Sequence, residues 1–335
     1  MFMNFYCYMI FFPMIIISNF LILISSSWIS MWMIMEFNSM TFLMMMIFNK
    51  NMKYEITMIF FLIQSFNSYL FLMSSMNFFF FKFMNLIIWF SLISKMGIPP
   101  FYLWYIKIMS NLNWMNFFIM SSLQKIIPLI IMTNLMNMTK EKNFMFYSLN
   151  LCLSILFSSF MFMNFSSLKI ILTFSSIIQI SWIILLMMSN EMLSMMFLFI
   201  YSTIMMNLSF MLNKFNLNFL NNINSMKFNN SKNFFMMNFL MFSLSSTPPF
   251  TGFLMKWLSI QEFFSSLNFF LIILLIFSAI ISSFIYIRMI FINIIINSYS
   301  MKMNFKNINL KNSSNFSFFL LNWISISYLF IYEIF

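Results

Sequence analysis

Long apolar stretches alternate with short polar segments along the whole chain. Eleven of these stretches have at least the roughly 20 residues that a helix needs to cross ~30 Å of hydrocarbon. The pattern therefore predicts an all-α, polytopic membrane protein with a single transmembrane domain over residues 1–335. The tenth stretch is too long for one perpendicular span, so we expect it to tilt or to project from the membrane. The predicted helices lie at residues 3–24, 27–48, 54–75, 84–108, 113–138, 144–163, 169–188, 191–213, 234–258, 266–296 and 316–335.

Two of the predicted helices contain a break. The fourth carries Lys95, then Gly97, then the pair Pro99-Pro100. Proline removes a backbone donor and glycine loosens the backbone, so a helix is expected to end here. The ninth carries Pro248-Pro249, then Gly252 and Lys256. These two segments hold both glycines of the chain.

The two breaks indicate an internal repeat. They lie five predicted helices apart, and an odd number of spans places the second copy upside down in the membrane. Inverted repeats with discontinuous helices in matching positions are typical of ion-coupled transporters. We therefore predict two inverted five-helix repeats followed by one further helix. The first repeat is 1–138 with its break at 97–100, the second is 144–296 with its break at 247–252, and the C-terminal helix is 316–335.

Composition excludes most other classes of protein. With 62% hydrophobic and 7% charged residues, a soluble domain of this length could not cover its surface. The chain has no histidine, and Cys7 and Cys152 lack the spacing of a metal or disulfide site, so we expect no cofactor on this chain. The net charge of +11 comes from lysines between apolar stretches, which argues against nucleic acid as a partner. Abundant Phe, Met, Ile and Asn without any Val or Asp indicate an AT-rich, organellar genome.

The lysines also predict the orientation. Ten lie in connections that follow even-numbered predicted helices, and three lie in connections that follow odd-numbered ones. Because positive loops stay on the side of synthesis, the N-terminus is predicted on the positive side and the C-terminus on the other. The ten are Lys50, Lys53, Lys107, Lys169, Lys214, Lys227, Lys232, Lys302, Lys306 and Lys311, and the three are Lys82, Lys140 and Lys142.

Four ionisable residues fall inside predicted helices or at a break: Glu36, Lys95, Lys125 and Lys256. A charge at the centre of a membrane costs at least ~2.5–3.5 kcal/mol, so such groups must pair or reach water. One interpretation is structural: ion pairs, or a side chain that snorkels to the headgroups, to which Lys256 is the best suited. The other is a proton relay. Burial penalises the charged form and a nearby opposite charge restores it, so a buried lysine beside Glu36 can gain or lose its proton as neighbouring charges change.

Six short stretches of the chain form a recognisable series: 32–38 (WMIMEFN), 95–104 (KMGIPPFYLW), 124–128 (QKIIP), 168–176 (LKIILTFSS), 248–257 (PPFTGFLMKW) and 286–288 (YIR). In sequence and in order they resemble the mitochondrial NADH–ubiquinone oxidoreductase chain 2 family of respiratory complex I.

The resemblance implies an antiporter-like subunit of the proton-pumping membrane arm, in the inner mitochondrial membrane with the N-terminus on the matrix side. It implies that Glu36 and Lys95 form a coupled ion pair, that Lys125 is the lysine of the central axis, and that Lys256 is the lysine of the second broken helix. FMN, iron–sulfur clusters and ubiquinone are expected in other subunits. The implied partners are membrane lipids and other membrane-arm subunits, including sister antiporter-like subunits.

The chain departs from the family pattern at several side positions. It has Tyr102 and Gln179 where relatives often carry histidine, and Lys107 where they often carry an acidic residue. Three alternative functions stay open from the sequence. They are an independent cation/proton antiporter of the same fold, a structural scaffold, and a sister antiporter-like subunit of the same complex.

Overall fold

The computed structural model describes residues 2–49, 52–76, 83–139, 144–215, 217–218, 231–248 and 250–303. These residues form helices and connecting turns, without a β-strand among them. The helices are α1 (Phe2–Ile24), α2 (Trp28–Ile47), α3 (Tyr54–Met76), α4 (Met84–Met96), α5 (Leu103–Asn111), α6 (Trp114–Phe118), α7 (Gln124–Thr139), α8 (Phe144–Phe162), α9 (Leu168–Ser189), α10 (Glu191–Phe215), α11 (Ser231–Ser245), α12 (Thr251–Ser266) and α13 (Phe269–Met303). A π-helical segment, Ile119–Leu123, joins α6 to α7.

Each of the first ten predicted helices falls on one of these helices or on a pair of them, while the eleventh, 316–335, lies outside the described residues. Among the described residues, six helices are long and apolar enough to cross a membrane. The chain is therefore a multi-pass membrane protein by length and composition, and the count of eleven spans stays a prediction. The six helices are Tyr54–Met76, Trp114–Asn137, Phe144–Phe162, Leu168–Ser189, Glu191–Phe215 and Phe269–Phe291.

Helix α9 lies at the centre of the fold. It packs against α5 and α7 on one side and against α8, α10 and α12 on others. Buried residues run along it without interruption from Ile171 to Met187. A helix that is mostly apolar all round belongs in the interior of a protein. The sequence of α9 fits that position, since its buried polar residues are only serines, one threonine and one glutamine.

The peripheral helices expose large apolar side chains instead. Ile24 of α1 is 81% exposed, Phe66 of α3 is 62% exposed and Ile280 of α13 is 60% exposed. Such surfaces would be a liability in water, whereas in a bilayer they contact lipid tails. The fold therefore has a protein core around α9 and an apolar outer face.

Buried hydroxyl groups are mostly bonded within their own helix. Ser91 donates to the carbonyl of Ile88 at 2.8 Å, and Ser158 donates to that of Ile155 at 3.0 Å. This back-bonding to the preceding turn satisfies a polar side chain without a partner from another helix. Polar atoms that lack such a partner therefore stand out in this interior.

Candidate functional site

The first helix break is built around Gly97, which ends α4. Its φ of +74° is in the left-handed region, which glycine adopts far more readily than other residues. The N–H groups of Gly97 and Ile98 donate to the carbonyls of Ser94 and Ile93, each at 3.2 Å. This pattern closes a helix in the Schellman manner. A Cβ at Gly97 would also lie 2.6 Å from the Cβ of Tyr105, so a larger residue has no room.

Neighbouring side chains bond the carbonyls at this end of α4. Gln64 Nε2 donates to the carbonyl of Lys95 at 3.3 Å, and Trp104 Nε1 donates to the carbonyl of Ser94 at 3.2 Å. The end of a helix that carries free carbonyls has negative partial charge. Lys95 lies in that last turn, so the backbone dipoles of α4 favour its positive charge.

The second break has a different construction. Helix α11 ends at Ser245 and α12 begins at Thr251, so the break covers 246–250 rather than the predicted 247–252. Ser246, with φ +56°, takes the left-handed position here. Gly252 lies in the first turn of α12, where a Cβ would come 1.9 Å from the carbonyl oxygen of Ser243. The two glycines thus serve different purposes, although the sequence places both beside a Pro-Pro pair. The first break, for its part, extends from Gly97 to Tyr102, beyond the predicted 97–100.

All three lysines of the predicted site are buried. Lys95 is 8% exposed, Lys125 3% and Lys256 5%. None of their Nζ atoms has a hydrogen-bond partner in the part of the chain that the structure describes. The snorkelling interpretation of Lys256 is therefore wrong, because the side chain does not reach the surface. Buried ammonium groups without partners are costly, and they require either water or a neutral form.

Lys95 and Lys125 line the same cavity. It encloses about 20 Å³ of free space, enough for about one water molecule. The amide side chains of Asn38, Gln64 and Gln124 contribute to its wall. Gln124 Nε2 donates to Asn38 Oδ1 at 3.0 Å, which joins α7 to α2 beside the cavity. The cavity therefore offers a water molecule polar partners from several helices.

Glu36 lies on α2, three residues before Ser39 of the cavity wall. Its side chain is half-buried, and its Oε1 atom has no hydrogen-bond donor among the described residues. The carboxylate attracts Lys95 electrostatically, yet no hydrogen bond joins the two groups. The structure thus brings the predicted partners into electrostatic range without direct contact.

The π-helical segment directly precedes Gln124 and Lys125 and is a feature that the sequence did not predict. Asn19 Nδ2 donates to the carbonyl of Leu123 at 3.2 Å, from α1. Proline has no backbone N–H, so Pro128 leaves the carbonyl of Gln124 without its usual helical donor. Irregular turns of this kind are frequent at functional sites. Pro128 was the one available signal that the helix around Lys125 is not regular.

Aromatic rings lie next to two of the lysines. Lys125 Nζ is 4.3 Å from the centroid of the Tyr105 ring, and Lys256 Nζ is 6.0 Å from that of Trp182. The face of an aromatic ring attracts a cation. Tyr105 belongs to α5 and Trp182 to α9, so the second broken helix meets the central helix at Lys256.

Three further charged residues of the described chain lie outside this site. Arg288 Nη2 donates to the carbonyl of Met163 at 3.3 Å and ties α13 to the end of α8. Lys169 Nζ lies 5.7 Å from the Trp114 ring centroid. Glu262 makes no hydrogen bond to Lys256. Across the described residues, no group of three His, Cys, Asp or Glu side chains could hold a metal ion.

Solved structures with a similar fold come from membrane complexes. A chain of respiratory complex I from Thermus thermophilus with bound aureothin superposes with a TM-score of 0.79 at 13% identity, over 94% of this chain and 75% of that one. A chain of the Mrp complex from Dietzia sp. DQ12-45-1b superposes with a TM-score of 0.72 at 10% identity, over 82% and 58%. The fold is therefore that of the antiporter-like membrane proteins.

Sequence comparison identifies the family within this class of membrane proteins. The family model described as NADH:quinone oxidoreductase/Mrp antiporter, TM, matches residues 75–282. NADH-ubiquinone oxidoreductase chain 2 of Anopheles gambiae is 33% identical over 268 residues, 76% of each chain. The protein of that name from Aedes aegypti is 33% identical over 78% of this chain and 79% of its own length, and that from Locusta migratoria is 31% identical over 80% of each. The chain belongs to the NADH:quinone oxidoreductase/Mrp antiporter transmembrane family, in its NADH-ubiquinone oxidoreductase chain 2 group.

Proposed function

We propose that this chain is a membrane-arm subunit of mitochondrial NADH-ubiquinone oxidoreductase, complex I, and that it moves protons across the inner mitochondrial membrane. The names of its relatives and the complexes that hold its structural neighbours support this assignment. In this proposal NADH oxidation and quinone reduction take place in other subunits, which hold FMN, iron–sulfur clusters and ubiquinone. Its neighbours in the membrane arm include sister antiporter-like subunits, as well as lipids.

The proposed arrangement in the membrane has eleven helices in two inverted five-helix repeats, with the N-terminus on the matrix side. Two observations support it. Each half of the chain contains one of the two helix breaks described above, and a buried lysine lies close to each break in the sequence. The distribution of lysines between even and odd connections supports the orientation.

The proposed proton carriers are Glu36, Lys95, Lys125 and Lys256. The observation that carries the proposal is the cavity between Lys95 and Lys125. Two buried lysine side chains that have no hydrogen-bond partner among the described residues border a space that fits a water molecule. While Glu36 is ionised, its attraction favours a charged Lys95. When that attraction is withdrawn, the proton of Lys95 can pass through the water to Lys125. Charge then moves laterally within the membrane, toward Lys256.

The test uses Lys125→Met and Glu36→Gln in the assembled complex, with the exposed Lys53→Met as the control. We expect both site variants to assemble and oxidise NADH while the number of protons translocated per NADH falls, and we expect the control to pump normally. Full pumping by both site variants would contradict the relay and would leave the buried charges a structural role. Purification of an active cation/proton exchanger without an NADH-oxidising complex would favour an independent antiporter instead.

A further inference from the structure

Pro99 leaves one backbone carbonyl at the end of α4 without its usual donor. Within a helix each carbonyl accepts a hydrogen bond from the N–H four residues later, and the carbonyls of the last turn lack that donor. The residue four positions after Lys95 is Pro99, which has no N–H to give. The carbonyl of Lys95 therefore needs a donor from elsewhere, because a buried backbone carbonyl without one is costly.

The two carbonyls that precede it are bonded by the turn itself. The N–H of Ile98 donates to the carbonyl of Ile93, and the N–H of Gly97 donates to that of Ser94, each at 3.2 Å. No backbone N–H of the described residues donates to the carbonyl of Lys95. The helix end at Gly97 thus satisfies its neighbours and leaves this carbonyl open.

Gln64, on the neighbouring helix α3, supplies the missing donor. Its Nε2 atom donates to the carbonyl of Lys95 at 3.3 Å. The Gln64 side chain is only 6% exposed, and it lines the cavity that Lys95 and Lys125 share. Because α3 and α4 pack against each other, this hydrogen bond joins two helices inside the protein, beside the proposed proton carriers.

The bond from Gln64 affects which partners the Lys95 side chain can take. A lysine near the end of a helix commonly donates to one of the last carbonyls. Lys95 lies in the last turn of α4, yet its Nζ has no hydrogen-bond partner among the described residues. Without Gln64, the open carbonyl would accept from the strongest donor at the cavity, the Nζ of a lysine. A direct hydrogen bond of that kind would compete with the longer-range attraction of Glu36.

We propose that Gln64 is a positioning residue for Lys95. By donating to the carbonyl that Pro99 leaves open, Gln64 keeps the Nζ of Lys95 free to respond to Glu36. Gln64 itself neither gains nor loses a proton. This inference rests on the proposed function, since Gln64 acts through one of the proposed carriers.

A purely structural role for Gln64 predicts a different result. If the bond only holds α3 to α4, its loss lowers the amount of assembled complex, while each complex that does assemble pumps normally. If the bond positions Lys95, the number of protons translocated per NADH falls in complexes that have assembled. This pumping ratio therefore separates the two roles, whereas the yield of complex does not.

The experiment measures the pumping ratio of assembled complexes that carry Gln64→Met, Gln64→His or Asn67→Leu. Methionine has a similar length but no donor, whereas histidine keeps a ring N–H. Asn67 is the matched control, because it is a buried amide of the same helix whose Nδ2 atom has no acceptor among the described residues. We expect Gln64→Met to lower the ratio toward that of Lys95→Met. The histidine variant and the control should stay near the ratio of the unchanged protein.

A double variant tests whether Gln64 acts through Lys95. In the Lys95→Met protein there is no Nζ to position, so adding Gln64→Met should cause no further fall in the ratio, as the effects of coupled residues do not add. A further fall as large as the one that Gln64→Met causes alone would show that Gln64 acts independently of Lys95, and would overturn the inference.

The outcomes distinguish the inference from the function on which it rests. If Lys95→Met lowers the ratio while Gln64→Met pumps like the unchanged protein, the role inferred for Gln64 is wrong and the proposed function stands. If Lys95→Met also pumps normally, both are wrong. If Gln64→Met prevents assembly, Gln64→His decides: normal pumping by the assembled histidine variant supports the inference, and a ratio as low as that of Lys95→Met overturns it.

Discussion

Lys95 and Lys125 border one cavity, although they come from different helices and lie 30 residues apart in the sequence. Lys95 is placed there by the end of α4 at Gly97, and Lys125 by the irregular turn that precedes it. The end of α4 and the π-helical segment therefore both place a lysine at the same small polar cavity. The proximity of the two lysines therefore depends on backbone irregularities as much as on the lysines themselves.

Glu36 and Lys95 are expected to behave as a coupled pair. Glu36→Gln removes the attraction on Lys95, and Lys95→Met removes its target, so each variant should lower the number of protons translocated per NADH. Both substitutions remove the same interaction, and the effects of coupled residues do not add. The double variant should therefore translocate as many protons per NADH as the more impaired of the two single variants. A double-mutant cycle of pumping ratios checks this. Losses that simply add would show that the two residues act independently.

Substitutions at the two left-handed positions, Gly97 and Ser246, are expected to change the stability of the protein in opposite directions. Gly97→Ala should destabilise the protein by more than ~1 kcal/mol, because alanine is unfavourable at positive φ and its Cβ would meet Tyr105. Ser246→Gly should instead stabilise the second break, by as much as ~1–2 kcal/mol, by removing the strain of a left-handed serine. The midpoint temperature of unfolding in detergent, measured for both variants, checks the pair. A stabilising Gly97→Ala would contradict the described helix end.

Gly252 is expected to tolerate no side chain at all. Its ideal Cβ would lie 1.9 Å from a backbone oxygen, that of Ser243, and a backbone atom cannot move away as a flexible side chain can. Gly252→Ala should therefore reduce the amount of assembled protein several-fold. Phe253→Ala, at the neighbouring and 37% exposed position, is the control and should assemble normally. The measurement is the yield of intact complex on a native gel.

Tyr105 combines a ring and a hydroxyl, which two substitutions separate. Tyr105→Phe keeps the ring beneath Lys125 and loses the hydroxyl, while Tyr105→Leu loses both. The attraction between a desolvated cation and a ring reaches ~2 kcal/mol, so the leucine variant should be the less stable of the two. The midpoint temperature of unfolding in detergent, measured for both variants, reports the contribution of the ring. Equal stability of both variants would indicate that Lys125 is uncharged there.

The sequence was sufficient to predict most of the helices, because apolar stretches long enough to cross a membrane leave few alternatives. It also predicted the breaks, since Gly97 and the Pro-Pro pairs disfavour a continuous helix. It did not predict that Ser246 would take the left-handed position of the second break, because serine carries no signal for positive φ. The predicted burial of Lys95 and Lys125 is confirmed, while the role of the four charged residues as proton carriers stays a prediction.

The features that the sequence missed are products of packing between distant segments. The hydroxyl oxygens of Tyr105 and Ser176 are 2.9 Å apart although the two residues lie on different helices and are separated by 71 positions in the sequence. The π-helical turn depends on Asn19 of α1, which is distant along the chain. Periodicity along one helix cannot reveal a cluster to which each helix contributes a single side chain.

The burial of α9 from Ile171 to Met187 also bears on how this chain can change over evolution. On α1 or α13 the exchange of one large apolar residue for another replaces one lipid contact with a similar one. On α9 the same exchange has to be accommodated by helices on every side, including α5 and α7 from the first half of the chain and α10 and α12 from the second. Mutational bias toward AT-rich codons can therefore exchange one apolar residue for another on the outer helices at little cost. On α9 the same substitutions are limited by packing against both halves of the chain.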